Sequence, residues 1–245
     1  MNKTLLTIFL CLGFFCSTQK YSPDPGLVAY YSFNDCDAFD DSGNFSHGKL
    51  YGNIDCYCGV EGNGLLLDGQ NDYIEFLGDV NKYFNTSDFT ISFYFRPVGK
   101  SVFQQSMLSK RTDCNEENML DILLDQNRME VVTEFHQTEV KDYPGISPTL
   151  DKGQWYHFAL VRNSFRAYTY INGELMLEGR RCSGVDISNE TPLSFGNSPC
   201  LGKGARRFKG VLDELRIFDQ ALSHEAILKL YQMYPVELAE LDCVS

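Results

Sequence analysis

The sequence predicts an all-β fold, a two-sheet antiparallel sandwich or jelly roll, with one short helix near the C-terminus. Many short segments rich in aromatic and β-branched residues are separated by turn residues, which is typical of sandwiches and jelly rolls. No repeat, low-complexity tract or change in composition divides the 245 residues. A single domain of ordinary size can therefore bury one large core.

The strand predictions rest on local patterns. Residues 89–95 alternate apolar with polar or small side chains, as a half-buried strand does. Asn172-Gly173, between two such segments, is the strongest hairpin indicator in the chain. Asp68-Gly69, between residues 65–67 and 73–76, predicts a second hairpin. Further strands are predicted at residues 27–33, 119–124, 129–135, 155–162, 166–171, 174–177, 193–195 and 211–218.

One helix is predicted after Ser223. Ser223 can cap its N-terminus, and Glu225 suits the positive end of the helix dipole. Its apolar residues would share one face; they are Ala226, Ile227, Leu230 and Tyr231.

The N-terminus has the pattern of a secretory signal peptide. Lys3 precedes an apolar run at residues 5–15, which is shorter than the roughly 20 residues that a membrane span needs. The small residues Cys16 and Thr18 fit cleavage after residue 18. A lipid anchor on Cys16 is the less favoured alternative, since Phe15 stands where a small residue is wanted. The predicted organisation is a signal peptide at 1–18, a linker at 19–25, one domain at 26–234 and a tail at 235–245.

Charge and cysteine content restrict the class of function. The formal net charge of −12 argues against nucleic acid and against anionic membrane surfaces as partners. An exported chain with this many cysteines is expected to form disulfides, and an odd number leaves one thiol over. No cysteine or histidine spacing fits a zinc site. The cysteines beyond the signal peptide are Cys36, Cys56, Cys58, Cys114, Cys182, Cys200 and Cys243.

Several motifs follow one another in a characteristic order. They are Gly-Leu-Val-Ala-Tyr-Tyr-Ser-Phe at 26–33, Asp-Ser-Gly-Asn at 41–44 with His-Gly at 47–48, Leu-Leu-Asp-Gly-Gln-Asn-Asp-Tyr-Ile at 66–74, Phe-Thr-Ile-Ser-Phe at 89–93, Gly-Gln-Trp-Tyr-His-Phe at 153–158 with Tyr-Ile-Asn-Gly at 170–173, and Gly-Val-Leu-Asp-Glu-Leu-Arg-Ile-Phe at 210–218 with Ala-Leu-Ser at 221–223. In this order they resemble the laminin-G-like jelly-roll family of concanavalin A type. The resemblance covers residues 26–234 and implies the fold more strongly than any activity, because one fold hosts many functions.

The resemblance also implies a structural calcium ion. In proteins similar to this chain, the loop after the opening strand and an Asp of the closing strand share Ca²⁺. The matching residues here are Asp41, Asn44 and Asp213, with the loop carbonyls of Ser42 and Gly43. Ca²⁺ takes about 6 to 8 oxygen ligands. The alternative is that residues 41–44 form only a polar turn.

Pentraxins, distant relatives of the family, have two loops that meet around calcium and resemble residues 110–118 and 197–209 by order. A cysteine in each loop implies that a Cys114–Cys200 disulfide replaces the metal clamp, and Cys182–Cys200 is the alternative pairing. If the loops meet, their positive charges form a rim for an acidic polysaccharide or another anionic partner. Solvated loop charges are the competing interpretation. The predicted ligand-binding residues are Lys110, Arg111, Lys203, Arg206 and Arg207.

No hydrolase signature is present. The E-x-D-x-x-E triplet of sandwich glycosidases, the G-x-S-x-G elbow and a phosphate loop are all missing from the sequence. Trp155, the one tryptophan, is expected to be a core anchor rather than a sugar-stacking platform. We therefore expect a secreted or surface-exposed, non-catalytic binding module that recognises carbohydrate or an extracellular partner. A structural or adhesion protein is the alternative, and a polysaccharide-active enzyme is a weaker one.

Overall fold

The computed structural model describes residues 24–99, 101–115, 117–137, 140–164, 166–179 and 185–239. The predicted signal peptide, Cys16, Cys182 and the end of the predicted tail lie outside these ranges. Within them, none of the helices has the length and apolar character needed to cross a membrane.

The described residues form two antiparallel sheets and one α-helix. The strands are β1 (Leu27–Tyr31), β2 (Gly48–Tyr51), β3 (Asp55–Cys58), β4 (Asn63–Asp68), β5 (Tyr73–Phe76), β6 (Phe89–Pro97), β7 (Gln104–Lys110), β8 (Met119–Asp125), β9 (Glu130–Gln137), β10 (Val140–Ile146), β11 (Tyr156–Asn163), β12 (Arg166–Ile171), β13 (Glu174–Gly179), β14 (Leu193–Phe195), β15 (Ala205–Arg207) and β16 (Lys209–Phe218). The helix is α1 (His224–Met233), and short 3₁₀ turns occupy Gly78–Tyr83 and Val236–Leu238.

The two sheets make a jelly-roll sandwich, which confirms the predicted fold class. The first sheet has the order β13-β12-β11-β6-β16-β4-β3, with β1 also paired to β16. The second has the order β10-β9-β8-β7-β14-β5-β2. Strand β15 joins the second sheet by parallel pairing with β7, the exception to the antiparallel pattern.

Aromatic side chains join the sheets across the core. Phe93 of the first sheet meets Phe195 of the second edge to face, with ring centroids 5.6 Å apart. Phe208 packs against both sheets, 5.4 Å from Phe195 and 6.5 Å from Phe95. All four rings are fully buried. Burial of each such side chain contributes roughly 1.5–3 kcal/mol, so this cluster holds the layers together.

One predicted hairpin is confirmed and the other is wrong. Asn172 and Gly173 connect the paired strands β12 and β13 with φ values of +50° and +77°, as a type I′ turn requires. In contrast, the strands on either side of Asp68-Gly69 belong to different sheets. The Asp68 carboxylate accepts hydrogen bonds from the backbone of residues 70–72, which turns the chain from one sheet to the other.

Five strands lack the composition that predicts a strand. They are β2, β3, β7, β10 and β15. Strand β7, for example, reads Gln-Gln-Ser-Met-Leu-Ser-Lys, and the polar side chains of Ser106 and Lys110 bond to loop carbonyls. Their pairing partners, rather than their own propensities, make these segments strands.

Helix α1 begins as predicted. The Ser223 hydroxyl accepts a hydrogen bond of 3.3 Å from the Ala226 amide, which caps the N-terminus. Ile227 and Leu230 are buried against the outer face of the first sheet. The helix therefore covers part of this face of the sandwich.

A polar and aromatic layer fills the space beneath α1. The Tyr94 hydroxyl donates to the backbone carbonyls of Leu230 and Tyr231, both at 3.0 Å. Trp155 is 2% exposed and packs with Tyr94 in this layer, which confirms that it anchors the structure. In the same layer His157 Nε2 lies 2.8 Å from the Ser92 hydroxyl.

The buried His157 makes stability depend on pH. Burial, together with the charge of Arg216, lowers the pKa of His157 from 6.5 to about 3. The unfolded chain therefore binds a proton between these values that the folded chain does not bind. Stability should decrease as the pH falls through this window, by up to about 1.4 kcal/mol per pH unit from this group. The free energy of unfolding, measured with denaturant between pH 7 and pH 4, should fall less steeply with pH in His157→Gln than in the wild type.

The exposed His224 supplies the control for this measurement. His224→Gln should show the same change of unfolding free energy with pH as the wild type. Equal slopes for His157→Gln and the wild type would contradict a buried neutral His157.

Disulfides fasten two regions of the sandwich. One joins Cys36 to Cys56, and another joins Cys114 to Cys200 with an S–S distance of 2.07 Å. The second is the pairing that the two-loop resemblance implied. Cys58 is disulfide-bonded as well.

The two disulfides should differ in their effect on stability. Cys114 and Cys200 are 86 residues apart in sequence, whereas Cys36 and Cys56 are 20 apart. On the chain-entropy model, removing the longer crosslink as a double Ser variant costs about 4.5 kcal/mol, and removing the shorter one costs about 3 kcal/mol. Urea unfolding of both double variants measures the difference, and a larger loss for the shorter crosslink would contradict the expectation.

Candidate functional site

The outer face of the second sheet carries a row of polar side chains. Because Ile74, Phe135 and Phe195 point into the core, their neighbours in sequence point outward. The strand registers place these outward residues side by side across six strands. In spatial order the row is Lys49, Glu75, Ser194, Ser109, Asp121 and Glu134.

A loop after β14 crosses the middle of this row. The Asn197 carbonyl accepts hydrogen bonds of 3.1 Å from the Ser106 and Ser194 hydroxyls. The Asn197 side-chain oxygen accepts a further bond of 2.7 Å from Arg207 Nη1. The loop therefore lies on the sheet and divides its outer face into two parts.

One part is a cleft beside the Cys114–Cys200 disulfide, which we call the disulfide cleft. Its floor comes from β7, β8 and β9, and its walls come from the segment around Cys114 and the loop around Cys200. Its volume is about 210 Å³. Charged side chains of both signs line it; they are Arg111, Asp121, Glu134 and Lys203.

A buried ion pair forms one end of the cleft. Arg111 Nη1 contacts Asp121 Oδ2, and the Ser109 hydroxyl donates to Asp121 Oδ1 at 2.5 Å. Arg111 also donates through Nε to the Asp113 carbonyl at 2.9 Å and through Nη2 to the Asn115 carbonyl. Burial raises the pKa of Asp121, while the positive charge of Arg111 opposes this effect. The pair thus fixes the loop after β7 to the sheet.

Glu134 stands next to Asp121 across the strands β8 and β9. Its side chain is 23% exposed, and His136 Nε2 lies 3.9 Å from Glu134 Oε2. Among the described residues, no donor within hydrogen-bonding distance reaches this carboxylate. Burial raises the pKa of Glu134, and the charge of Asp121 acts in the same direction. Burial and then Arg111 lower the pKa of His136, which keeps that ring neutral.

The other part of the face carries a tyrosine stack. The rings of Tyr51 and Tyr73 are parallel within 3°, with centroids 4.3 Å apart. Lys49 Nζ lies 4.8 Å from the Tyr51 ring, and the Arg207 guanidinium lies 4.4 Å from the Tyr73 ring. The cations stabilise the stack and cover its outer ring faces. Recognition there would therefore use hydrogen bonds more than ring stacking.

The predicted basic rim needs correction at Lys110 and Arg111. The Lys110 side chain is fully buried, and its Nζ donates to the Asn189 carbonyl at 2.9 Å and the Thr191 carbonyl at 2.8 Å. Burial lowers the pKa of Lys110 to about 8. Arg111 is only 6% exposed and is held by Asp121. These two cations serve the structure, so the prediction that they lie on an exposed rim is wrong.

The remaining rim residues are nearer the surface. Lys203 and Arg206 are exposed, and the Arg206 guanidinium lies 4.1 Å from the Phe103 ring. Arg207 is half-buried and donates to the carbonyls of Gln70 and Gly196 at 3.1 Å each. Lys203 and Arg206 therefore retain the freedom to meet a ligand, whereas Arg207 is largely committed to the fold.

The predicted calcium ligands are held by protein groups. Asp213 is fully buried, and its Oδ2 accepts hydrogen bonds from the Val60 amide at 2.7 Å and the Glu61 amide at 3.3 Å. Burial, and then the charge of Glu214, raise the pKa of Asp213 well above its usual range. Asp213 thus fastens the turn between β3 and β4 through backbone donors.

The other two predicted ligands make local contacts. Asp41 Oδ2 accepts from the Ser32 hydroxyl at 2.7 Å, and Asn44 Nδ2 donates to the carbonyls of Leu27 and Val28 at 3.2 and 3.3 Å. In the described part of the chain, no three His, Cys, Asp or Glu side chains form a group that could hold a metal ion. A calcium ion held partly by loop carbonyls stays a prediction.

Solved structures with this architecture come from several proteins. Domain 4 of AbnA, a GH43 extracellular arabinanase from Geobacillus stearothermophilus in complex with arabinotriose, is 22% identical with a TM-score of 0.64, covering 84% of this chain and 98% of that one. The binding domain of Paraclostridial Mosquitocidal Protein 1 is 20% identical with a TM-score of 0.67, covering 85% and 52%. A structure of botulinum neurotoxin type C, described by its interaction with two ganglioside molecules, is 14% identical with a TM-score of 0.66, covering 85% and 51%. The chain thus spans about half the length of these toxin chains.

These likenesses show the fold alone, a jelly-roll sandwich. A laminin G family model described as the concanavalin A-like lectin/glucanases superfamily matches residues 68–228. The chain therefore belongs to the concanavalin A-like lectin/glucanase superfamily. The search among curated proteins found no match.

The burial of Arg111 has a measurable consequence. Replacing Arg111 by Ala leaves Asp121 buried without its ion-pair partner, which should destabilise the protein by about 3–5 kcal/mol. Arg206→Ala, a matched change at an exposed cation, should cost less than about 1 kcal/mol. Denaturant unfolding of the two variants checks this. Equal losses of unfolding free energy would indicate that Arg111 is exposed and not buried against Asp121.

Proposed function

We propose that the chain is an extracellular, non-catalytic binding module that recognises carbohydrate on the outer face of its second sheet. The observation that carries this proposal is the disulfide cleft at the end of the polar row. Helix α1 covers part of the outer face of the first sheet, whereas the disulfide cleft opens on the second sheet.

The chemistry of this face suits a hydroxyl-rich ligand. A sugar hydroxyl both donates and accepts, so its site needs acceptors and donors close together. The cleft supplies a carboxylate acceptor from Glu134 and donors from Gln104 and Lys203. Glu134 and Gln104 lie on strands, and Lys203 lies on the loop that the Cys114–Cys200 disulfide fastens, so the backbone holds these groups in place.

The structural neighbours support the same class of function. The arabinanase domain was solved with arabinotriose, and the neurotoxin structure concerns ganglioside binding. The disulfides and the predicted signal peptide support an exported chain, since disulfides persist in oxidising compartments.

The charges of the cleft support binding without catalysis. Hydrolysis of a glycosidic bond generally needs two carboxyl groups that face the substrate. Asp121 is committed to Arg111 and Ser109, which leaves Glu134 as the carboxylate of the cleft that faces outward. Reducing-sugar and unsaturated-product assays with polysaccharides should therefore give no turnover.

An extracellular protein partner is the second candidate. Val102 is 71% exposed and Phe103 is 41% exposed, beside the cations Arg206 and Lys209. Exposed apolar residues next to Arg are common at the centres of protein interfaces. This loop would suit an adhesion module.

A glycan array tests the proposed function. The secreted chain should retain at least one class of glycan, and the matching free oligosaccharide should compete. The array should include neutral, uronic and sulfated glycans and should be read with and without EDTA, since structural calcium would stabilise the native state. A correctly folded chain that retains no glycan but captures an extracellular protein would replace carbohydrate recognition with adhesion.

A further inference from the structure

We propose that the disulfide cleft takes a single neutral sugar unit, with Glu134 as the acceptor for its hydroxyl groups. This inference rests on the carbohydrate-binding function proposed above and names its ligand class. It also reverses the expectation of an acidic polysaccharide, because the structure buries Lys110 and Arg111, two of the cations on which that expectation depended.

The formal charges of the cleft cancel. The positive charge of Arg111 is paired with Asp121, and the charge of Lys203, on the loop that holds Cys200, offsets that of Glu134. His136, beside Glu134, stays neutral at pH 7 because burial lowers its pKa. A cleft without net charge gives no electrostatic preference for sulfate or uronate groups over neutral sugars.

Glu134 has acceptor capacity that the protein does not use. Its carboxylate is mostly shielded from water, and no described group donates to it. A desolvated acceptor without a partner costs free energy, and a ligand hydroxyl would remove that cost. In its neighbour Asp121, in contrast, both carboxylate oxygens already have partners, Arg111 and Ser109.

Donors stand within the same cleft. Gln104 and Lys203 line it, and neither side chain makes a hydrogen bond to the described residues. Lys203 lies on the loop that holds Cys200, so its position depends on the disulfide. The hydroxyl groups of a sugar ring in the cleft would donate hydrogen bonds to Glu134 and accept them from Gln104 and Lys203.

The size and boundary of the cleft select one ring rather than a chain. Its volume of about 210 Å³ lies below the roughly 300–1,000 Å³ of sites for drug-sized ligands. The Cys114–Cys200 disulfide forms part of its wall. The unit bound is therefore the end of a glycan or a short branch.

The experiment compares Glu134→Ala with the wild type by calorimetric titration of the neutral glycan retained on the array. Removing a charged acceptor should weaken binding by about tenfold or more. Glu134→Gln, which retains one acceptor oxygen without the charge, should fall between the two. Neither variant should lower the melting temperature, because the carboxylate accepts no hydrogen bond from the described residues.

Glu130→Ala is the matched control, since Glu130 lies on the same strand and the same face but outside the cleft. It should bind as the wild type does. Equal affinities of the wild type and Glu134→Ala, or a stronger affinity of the wild type for uronic or sulfated glycans, would overturn the inference while leaving carbohydrate binding intact. Failure of the wild type to bind any glycan would instead overturn the proposed function.

The disulfide provides a second, independent test of the proposed site. A Cys114→Ser/Cys200→Ser variant that still folds, as judged by its unfolding curve, should bind the neutral glycan at least tenfold more weakly. Cys36→Ser/Cys56→Ser should bind it with the wild-type affinity. Unchanged affinity in the first variant would show that the cleft wall takes no part in recognition.

Discussion

The edge-to-face contact between Phe93 and Phe195 fixes the relation of the two sheets, and the outer surface follows from it. Strand side chains alternate, so burying Phe195 places Ser194 on the opposite face. The same reasoning holds for Phe135 and its neighbour Glu134. The core therefore decides which polar residues form the row on the open face. A shift of β9 by one residue would bury Glu134 and expose Phe135. Because both changes cost free energy, the core fixes the strand register on which the site depends.

Charge distribution explains why an acidic chain need not repel a ligand here. Lys110 and Arg111 are used inside the structure, where they bind backbone carbonyls and Asp121. Their burial requires such partners, because an unpaired charge in the interior is very costly. What remains in the cleft is balanced in sign. Recognition of hydroxyl groups needs this balance more than it needs net charge.

The sequence was sufficient for the fold class, for the helix capped by Ser223 and for the turn at Asn172-Gly173, because each depends on residues close together in the chain. The Asp68-Gly69 turn misled, since a turn residue specifies a change of direction but not which sheet receives the next strand. Strand β7 was missed because its polar side chains are covered by a loop that is remote in sequence. Glu134 carries no motif. The alternation in β9 could have placed it outward, but its position beside Asp121 depends on pairing between strands.

The position of α1 on the first sheet has a practical consequence for handling the protein. The helix lies on the first sheet, whereas the cleft opens on the second, so the two point away from each other across the thickness of the sandwich. Met233, at the end of α1, is 47% exposed. A tether introduced there would orient every molecule on a sensor chip or bead with its recognition surface toward the solution. The same geometry would let several copies be displayed on one scaffold and gain avidity for a multivalent glycan.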